Sequence, residues 1–223
     1  MLRLLQDFWA DRWRTDFRLH MTAESGILPI FLKKGDGFLK IYVFRHGETD
    51  WNAIHRIQGR EDIPLNENGI AQAHETGRNI KGKIAPAYMV VSPLQRAKVT
   101  GEIIAGYIGI DRIYVEDDLT ECDYGEMSGV IVEDIYDAVC PGEEPRELAG
   151  ARFMRVLDKY TALYDGDFAV VSHGGTINAA LYCISEGSAG TGITKLKNAA
   201  VTELEFKNGN YRVVRTNVTA EEF

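Results

Sequence analysis

Cysteine is scarce in this chain. Only Cys122, Cys140 and Cys183 are present, odd in number and far apart. That excludes a disulfide framework and the close spacings of zinc and redox motifs, and it fits a reducing, cytoplasmic compartment. Basic residues are outnumbered, with 25 Lys and Arg against 33 Asp and Glu and a net charge of -8. This excludes the broad positive surface that general nucleic-acid binding requires. A small anion is still admissible, because a local cationic pocket does not depend on net charge. No apolar stretch approaches the about 20 residues of a membrane-spanning helix. Acidic side chains enter too early, and no continuous apolar core follows them, for a secretory signal. Without such a signal, Asn217-Val218-Thr219 matches a glycosylation acceptor only by coincidence. No internal repeat and no low-complexity tract is found.

What is present is a chain of 223 residues, 45% hydrophobic, with ample length for one buried core. Residues 1–38 read as an N-terminal extension. Leu2, Leu5, Trp9, Trp13 and Phe17 recur at helical spacing between charged residues, the mark of an amphipathic helix. Such a helix packs on the domain or on a second copy of the chain as a homo-oligomer contact, in preference to a membrane surface; a mostly disordered extension is the other alternative. Lys33 to Gly37 then reads as a turn or linker.

Residues 39–223 alternate between strand and helix patterns. The expected strands are Leu39–Arg45, Ala87–Ser92, Arg112–Val115, Phe168–Ser172, Val201–Phe206 and Tyr211–Thr216. The expected helices are Glu67–Lys81, Pro93–Ile108, Ile131–Val139, Arg146–Leu163 and Thr176–Ser185. Alternation of this kind predicts an α/β three-layer sandwich: a mostly parallel sheet with helices on both faces. Lys207-Asn208-Gly209-Asn210 is a turn signal that would join the last two strands as an antiparallel edge hairpin.

The chemistry-bearing residues gather at the predicted strand ends, where open α/β sheets bind ligands. Arg45-His46-Gly47-Glu48 follows the first strand. Arginine grips phosphate oxygens with paired hydrogen bonds, and histidine is a nucleophile and proton carrier near neutral pH. Thr49, Asn52, Arg56, Gln58 and Gly59 follow in a loop, with hydroxyl, amide and backbone groups able to face phosphate. Ser92-Pro93-Leu94-Gln95-Arg96-Ala97 sits at the next strand-to-helix junction. A cation in the first turn, as at Arg96, opposes the helix dipole unless an anion is near. His173-Gly174-Gly175 follows a later strand. Either histidine alone reads as a structural residue and either arginine alone as surface, but two of each at strand ends make an anion pocket. A zinc site would need more ligands, and the arginines would repel the metal. Asp117, Asp118, Glu121 and Asp123 crowd one loop, and spacing does not choose among them as a general acid.

These blocks together resemble the histidine phosphatase superfamily, which includes cofactor-dependent phosphoglycerate mutase. The matching stretches are Arg45 to Asn52 with Arg56, Gln58-Gly59, Asp62 and Pro64-Leu65; Ser92 to Ala97 with Thr100; Leu119-Thr120-Glu121 with Tyr124-Gly125 and Gly129; and Ser172 to Gly175. The resemblance runs from about residue 39 to the C-terminus, and residues 1–38 have no counterpart. It implies that His46 is the nucleophile, that Arg45, Arg96 and His173 surround the phosphoryl group, and that Glu121 is the proton donor. Asn52, Gln58 and Gly59 would help bind the substrate, and Thr49 and Gly174 join them as expected contacts. No metal or other cofactor is implied, and the partner is a small phosphomonoester.

Two departures bear on the reaction. Mutases of the family usually carry arginine and histidine after the acid, where this chain has Cys122 and Asp123. The segment from Gly125 to Asp167 is short and includes the acidic Pro141-Gly142-Glu143-Glu144-Pro145. Both favour hydrolysis over mutase transfer. A phosphoglycerate mutase and a non-catalytic phosphate-binding module are the alternatives.

Overall fold

The computed structural model describes residues 38–133 and 141–222. The helix expected within residues 1–38, its homo-oligomer contact, and most of the helix expected over 131–139 lie outside the described residues. A compact unit begins at Phe38.

Six strands form one sheet among the described residues: β1 (Leu39–Arg45), β2 (Met89–Val91), β3 (Ile113–Val115), β4 (Phe168–Ser172), β5 (Val201–Lys207) and β6 (Asn210–Val218), in the order β3-β2-β4-β1-β5-β6. The first four in that order are parallel, and β5 and β6 add as antiparallel neighbours. This is the expected mostly parallel sheet with its edge hairpin. Among the described residues five α-helices accompany it: α1 (Asp50–Ala53), α2 (Glu67–Ile80), α3 (Gln95–Ile108), α4 (Arg146–Leu163) and α5 (Gly174–Ile184).

Alternation along the strands decides which helix covers which face. Ile41, Val43, Val90 and Val170 meet Phe153 and Leu157 of α4 and Ile177 and Leu181 of α5. Tyr42, Phe44, Val91 and Val171 point the other way, onto Ile80 of α2 and Ala97 and Ile104 of α3. β4 is buried along its whole length, as a central parallel strand should be.

Two local readings change. The Thr49 to Asn52 stretch, expected as loop, is one helical turn. It is held by a capping box in which the Thr49 hydroxyl accepts from the Asn52 backbone and the Asn52 side chain accepts from the Thr49 backbone. A single capped turn has no apolar period to reveal it. Ile131 does not begin a helix: it makes an isolated bridge to Arg56. The neighbouring backbone is spent across the chain, with Ile57 N–H donating to Val130 C=O at 2.9 Å and Val132 N–H to His55 C=O at 3.1 Å.

The turn after β1 touches the start of α2 glycine to glycine. A Cβ on Gly47 would run into the Gly69 carbonyl, and one on Gly69 would lie 2.6 Å from Glu48 N and 2.9 Å from its carbonyl carbon. Alanine usually improves a helix interior by about 0.5–1 kcal/mol over glycine. Here overpacking should reverse the sign, and Gly69→Ala is expected to destabilise by about 1–3 kcal/mol. Gly106→Ala in α3, where nothing lies within 4 Å, is the control and should stabilise. Urea unfolding of both variants checks the pair; a stabilised Gly69→Ala would refute the close approach.

Candidate active site

The β1–β4 pairing builds the centre of the site. Arg45 lies opposite Ser172 in the parallel register, so the next residues, His46 and His173, leave the sheet side by side. His46 N–H continues the ladder to Ser172 C=O at 3.0 Å. The two imidazole centroids are 5.1 Å apart, close to the strand spacing itself. β2 delivers Ser92 and then Arg96 in the first turn of α3, and the chain after β3 delivers Glu121. A cavity of about 370 Å³ opens there, lined by Arg45, His46, Asn52, Gln58, Gly59, Arg96, Glu121 and Gly174. Of the expected site residues, His173 stands fully buried behind this wall. Thr49 does not line the cavity; its hydroxyl is spent on the cap of α1.

His46 is buried, and its Nδ1 lies 2.6 Å from the Gly47 carbonyl. A carbonyl only accepts, so Nδ1 carries the proton and Nε2 is left with its lone pair. Burial, followed by the charges of Arg96 and Arg45, holds the imidazole well below its usual value of 6.5. His173 is lowered likewise, by burial first and then by Arg96, His46, Arg152 and Arg45.

The two arginines bond to neutral acceptors. Arg96 donates from Nη1 to Glu61 C=O at 2.6 Å and from Nη2 to Gly59 C=O at 2.9 Å. Arg45 donates to the Leu196 carbonyl. Among the described residues neither makes an ion pair, so their charge is not cancelled at close range. Burial lowers Arg96 to about 10, which keeps it cationic at neutral pH. The anion expected near the start of this helix is partly supplied by Asp62, whose carboxylate accepts from Gln95 N–H at 2.7 Å. Arg45 Nε, Arg96 Nε and His173 Nδ1 are buried with no hydrogen-bond partner. Each such nitrogen costs about 1–3 kcal/mol while it stays unpaired.

Of the four candidate carboxylates, Glu121 is the one that combines burial with a place in the cavity wall. Its Oε1 accepts from Cys122 N–H at 2.8 Å, Thr176 N–H at 3.0 Å and the Thr176 hydroxyl at 3.1 Å, whereas Oε2 accepts only from Gly175 N–H at 3.2 Å. Oε2 therefore keeps the spare capacity. Asp118 instead pairs with Arg155 at 2.9 Å, outside the cavity. Asp123 does line the cavity but pairs with Arg60 at 3.7 Å, so its charge is partly offset. Glu144, from the acidic segment, turns inward onto Arg152 at 2.8 Å.

Several residues of the site were not singled out from the sequence. Arg152 of α4 donates to the carbonyls of Asp118 (2.7 Å) and Thr120 and to the Thr176 hydroxyl (3.2 Å), fixing the strip that carries Glu121. Nothing in the sequence distinguishes it from a helix-surface arginine. Asn198 binds the His46 carbonyl at 3.1 Å from a loop far along the chain. Gly175 had a signal in its motif: a Cβ there would lie 2.8 Å from Glu121 Oε1. Among the described residues no group of three or more His, Cys, Asp or Glu side chains is arranged to hold a metal, and no helix is long and apolar enough to cross a membrane.

All of this falls inside residues 41–219, which match the histidine phosphatase superfamily, branch 1. The chain belongs to that superfamily. Among its relatives, an uncharacterized phosphatase, PhoE, of Bacillus subtilis is 37% identical over 185 residues, covering 81% of this chain and 95% of that protein. A probable phosphoglycerate mutase, GpmB, of Salmonella paratyphi C is 42% identical, but over only 40% of each chain. The structure of a mycobacterial glucosyl-3-phosphoglycerate phosphatase with VO3 superposes at a TM-score of 0.72 with 25% identity, covering 81% of this chain and all (100%) of that one.

The buried histidines make stability depend on pH. Both have folded values below 6.5, so in acid the unfolded chain binds protons that the folded chain refuses. Stability should be level above pH 7.5 and fall as pH drops below the unfolded histidine value, by at most about 1.4 kcal/mol per pH unit per histidine. His173→Gln should flatten that slope. Urea melts at pH 7.5, 6.5 and 5.5 check this, and an unaltered slope in the variant would count against a neutral buried His173.

Proposed function

We propose that the chain is a metal-independent phosphomonoester hydrolase, acting through a phosphohistidine at His46 on a small phosphorylated metabolite. The observation that carries this reading is the trio of buried, unpartnered nitrogens around His46: Arg45 Nε, Arg96 Nε and His173 Nδ1. A phosphoryl group offers several acceptor oxygens and negative charge to such a trio. The arginines' hydrogen-bond partners are neutral, which leaves positive charge for the equatorial oxygens of the transition state, where other phosphoryl-transfer sites use magnesium.

In the first half-reaction His46 Nε2 bonds to phosphorus as the ester P–O bond breaks, and Glu121 Oε2 gives a proton to the leaving oxygen. In the second, Glu121 takes a proton from water as its oxygen attacks phosphorus and the P–N bond breaks. Inorganic phosphate leaves and His46 is neutral again. Hydrolysis is favoured over mutase transfer by the residues after the acid. Burial raises the Cys122 thiol and keeps it uncharged, and Asp123 is anionic and already paired. Neither offers the cation that would hold a glycerate carboxylate for the return step.

With a chelator present, the wild type should release phosphate from an aryl phosphate, and rapid acid-free quench should trap an acid-labile phosphoenzyme. His46→Ala should lose turnover by at least about 10³-fold and trap nothing. Turnover that requires added metal, normal turnover in His46→Ala, or isomerisation of 3-phosphoglycerate without phosphate release would each overturn part of the reading. Glu121→Gln should slow alkyl phosphates about 10²–10⁴-fold and aryl phosphates less, since phenolates leave with less need of a proton. Steady-state rates on matched alkyl and aryl esters decide, and equal slowing would remove Glu121 from the acid's role.

A further inference from the structure

We propose that Ser92 is a positioning residue that fixes His173 in its Nδ1–H tautomer, so that this imidazole presents a donor to the phosphoryl group on His46. The inference deepens the hydrolase reading above and rests on it. Ser92 ends the β2 run, fully buried, and His173 follows β4, also fully buried. Ser92 Oγ lies 2.7 Å from His173 Nε2. The same oxygen accepts from Leu94 N–H at 3.3 Å. A serine hydroxyl has one proton and two lone pairs. With one lone pair of Oγ accepting from Leu94 N–H, the acceptor the structure sets before the Ser92 proton is His173 Nε2. Nε2 is then the lone-pair nitrogen, and the single proton of the neutral ring sits on Nδ1.

Nδ1 is the nitrogen left without a partner. As N–H it can donate to a phosphoryl oxygen. In the other tautomer it would turn a lone pair on that oxygen, acceptor against acceptor. The two histidines are thus both Nδ1–H but are fixed from opposite ends. A carbonyl takes the Nδ1 proton of His46 at 2.6 Å and frees Nε2 to attack; a hydroxyl takes Nε2 of His173 and frees Nδ1–H to bind. Burial and the nearby Arg96 keep His173 neutral, so the tautomer matters. Should the ring take a proton when substrate is bound, the Ser92 hydroxyl can turn over and accept from Nε2.

The test reads the tautomer directly. In substrate-free protein labelled with ¹⁵N-histidine, long-range ¹H–¹⁵N correlation should show His173 with a pyrrole-type Nδ1 and a pyridine-type Nε2, assigned by loss of the signals in His173→Gln. Ser92→Ala should lose that pattern and lower kcat on an aryl phosphate about 10²-fold with a smaller change in KM. Ser92→Thr, which keeps the hydroxyl, should restore both. An Nε2–H ring in the wild type overturns the proposal whatever the variants do. So does a Ser92→Ala protein that keeps the Nδ1–H ring, or one that loses it with kcat unchanged. If Ser92→Ala does not fold, Ser92→Cys replaces it, the thiol being a weaker donor. Because the tautomer is read without substrate, its failure is distinct from an absence of phosphatase activity in the wild type.

Discussion

The site depends on one backbone constraint, the parallel pairing of β1 with β4 in the register that sets Arg45 opposite Ser172. Side chains in a strand alternate, so a slip of one residue would turn every inward group outward. In this register His46 and His173 emerge at the same height, on adjacent strands, with their rings 5.1 Å apart. The register is itself pinned by packing. Val43 and Val170 face the α4–α5 layer, and Phe44 and Val171 face the α2–α3 layer. Burial of such side chains, worth about 1.5–3 kcal/mol each, is lost on the wrong face.

Charge is handled locally rather than globally. The chain is acidic, yet the cavity holds two arginines whose partners are carbonyls of Gly59, Glu61 and Leu196. Arginines with other tasks are treated differently: Arg152 meets Glu144 at 2.8 Å and Arg155 meets Asp118 at 2.9 Å. A carboxylate partner cancels a guanidinium's field, and a carbonyl orients it without cancelling it. The same logic reaches Glu121. Glu121 is held chiefly through Oε1 by backbone N–H groups and Thr176, while Arg152 grips the strip on which it sits. Precision at Glu121 thus comes from neutral donors and from a cation already paired.

Much of this was legible in the chain. The apolar run before Arg45-His46, the one before His173 and the Lys207–Asn210 turn forecast strands that the sheet contains: β1 and β4 have the expected bounds, and the hairpin strands run one or two residues further at their ends. What was not legible has no local signal. The α1 turn is one capped turn, too short for periodicity. Ile131 is apolar at helical spacing, but its neighbours' backbone groups are engaged by residues 55–57. Thr49 looks like a phosphate-facing hydroxyl until its cap of Asn52 is seen, and Arg152 and Asn198 are ordinary polar residues until the fold brings them home.

By itself the sequence determined the sheet-and-helix order and which residue types stand at each strand end, because hydrophobic period and turn chemistry are local properties of the chain. It determined too, by motif, that the chain resembles the superfamily to which it belongs. Only the tertiary structure decided which of four crowded carboxylates enters the cavity, which nitrogen of each histidine is free, and that Arg45 and Arg96 keep their charge uncancelled. Those are matters of distance and hydrogen-bond partnership between residues as far apart as 46 and 198, and no spacing along a chain encodes them until the strands pair.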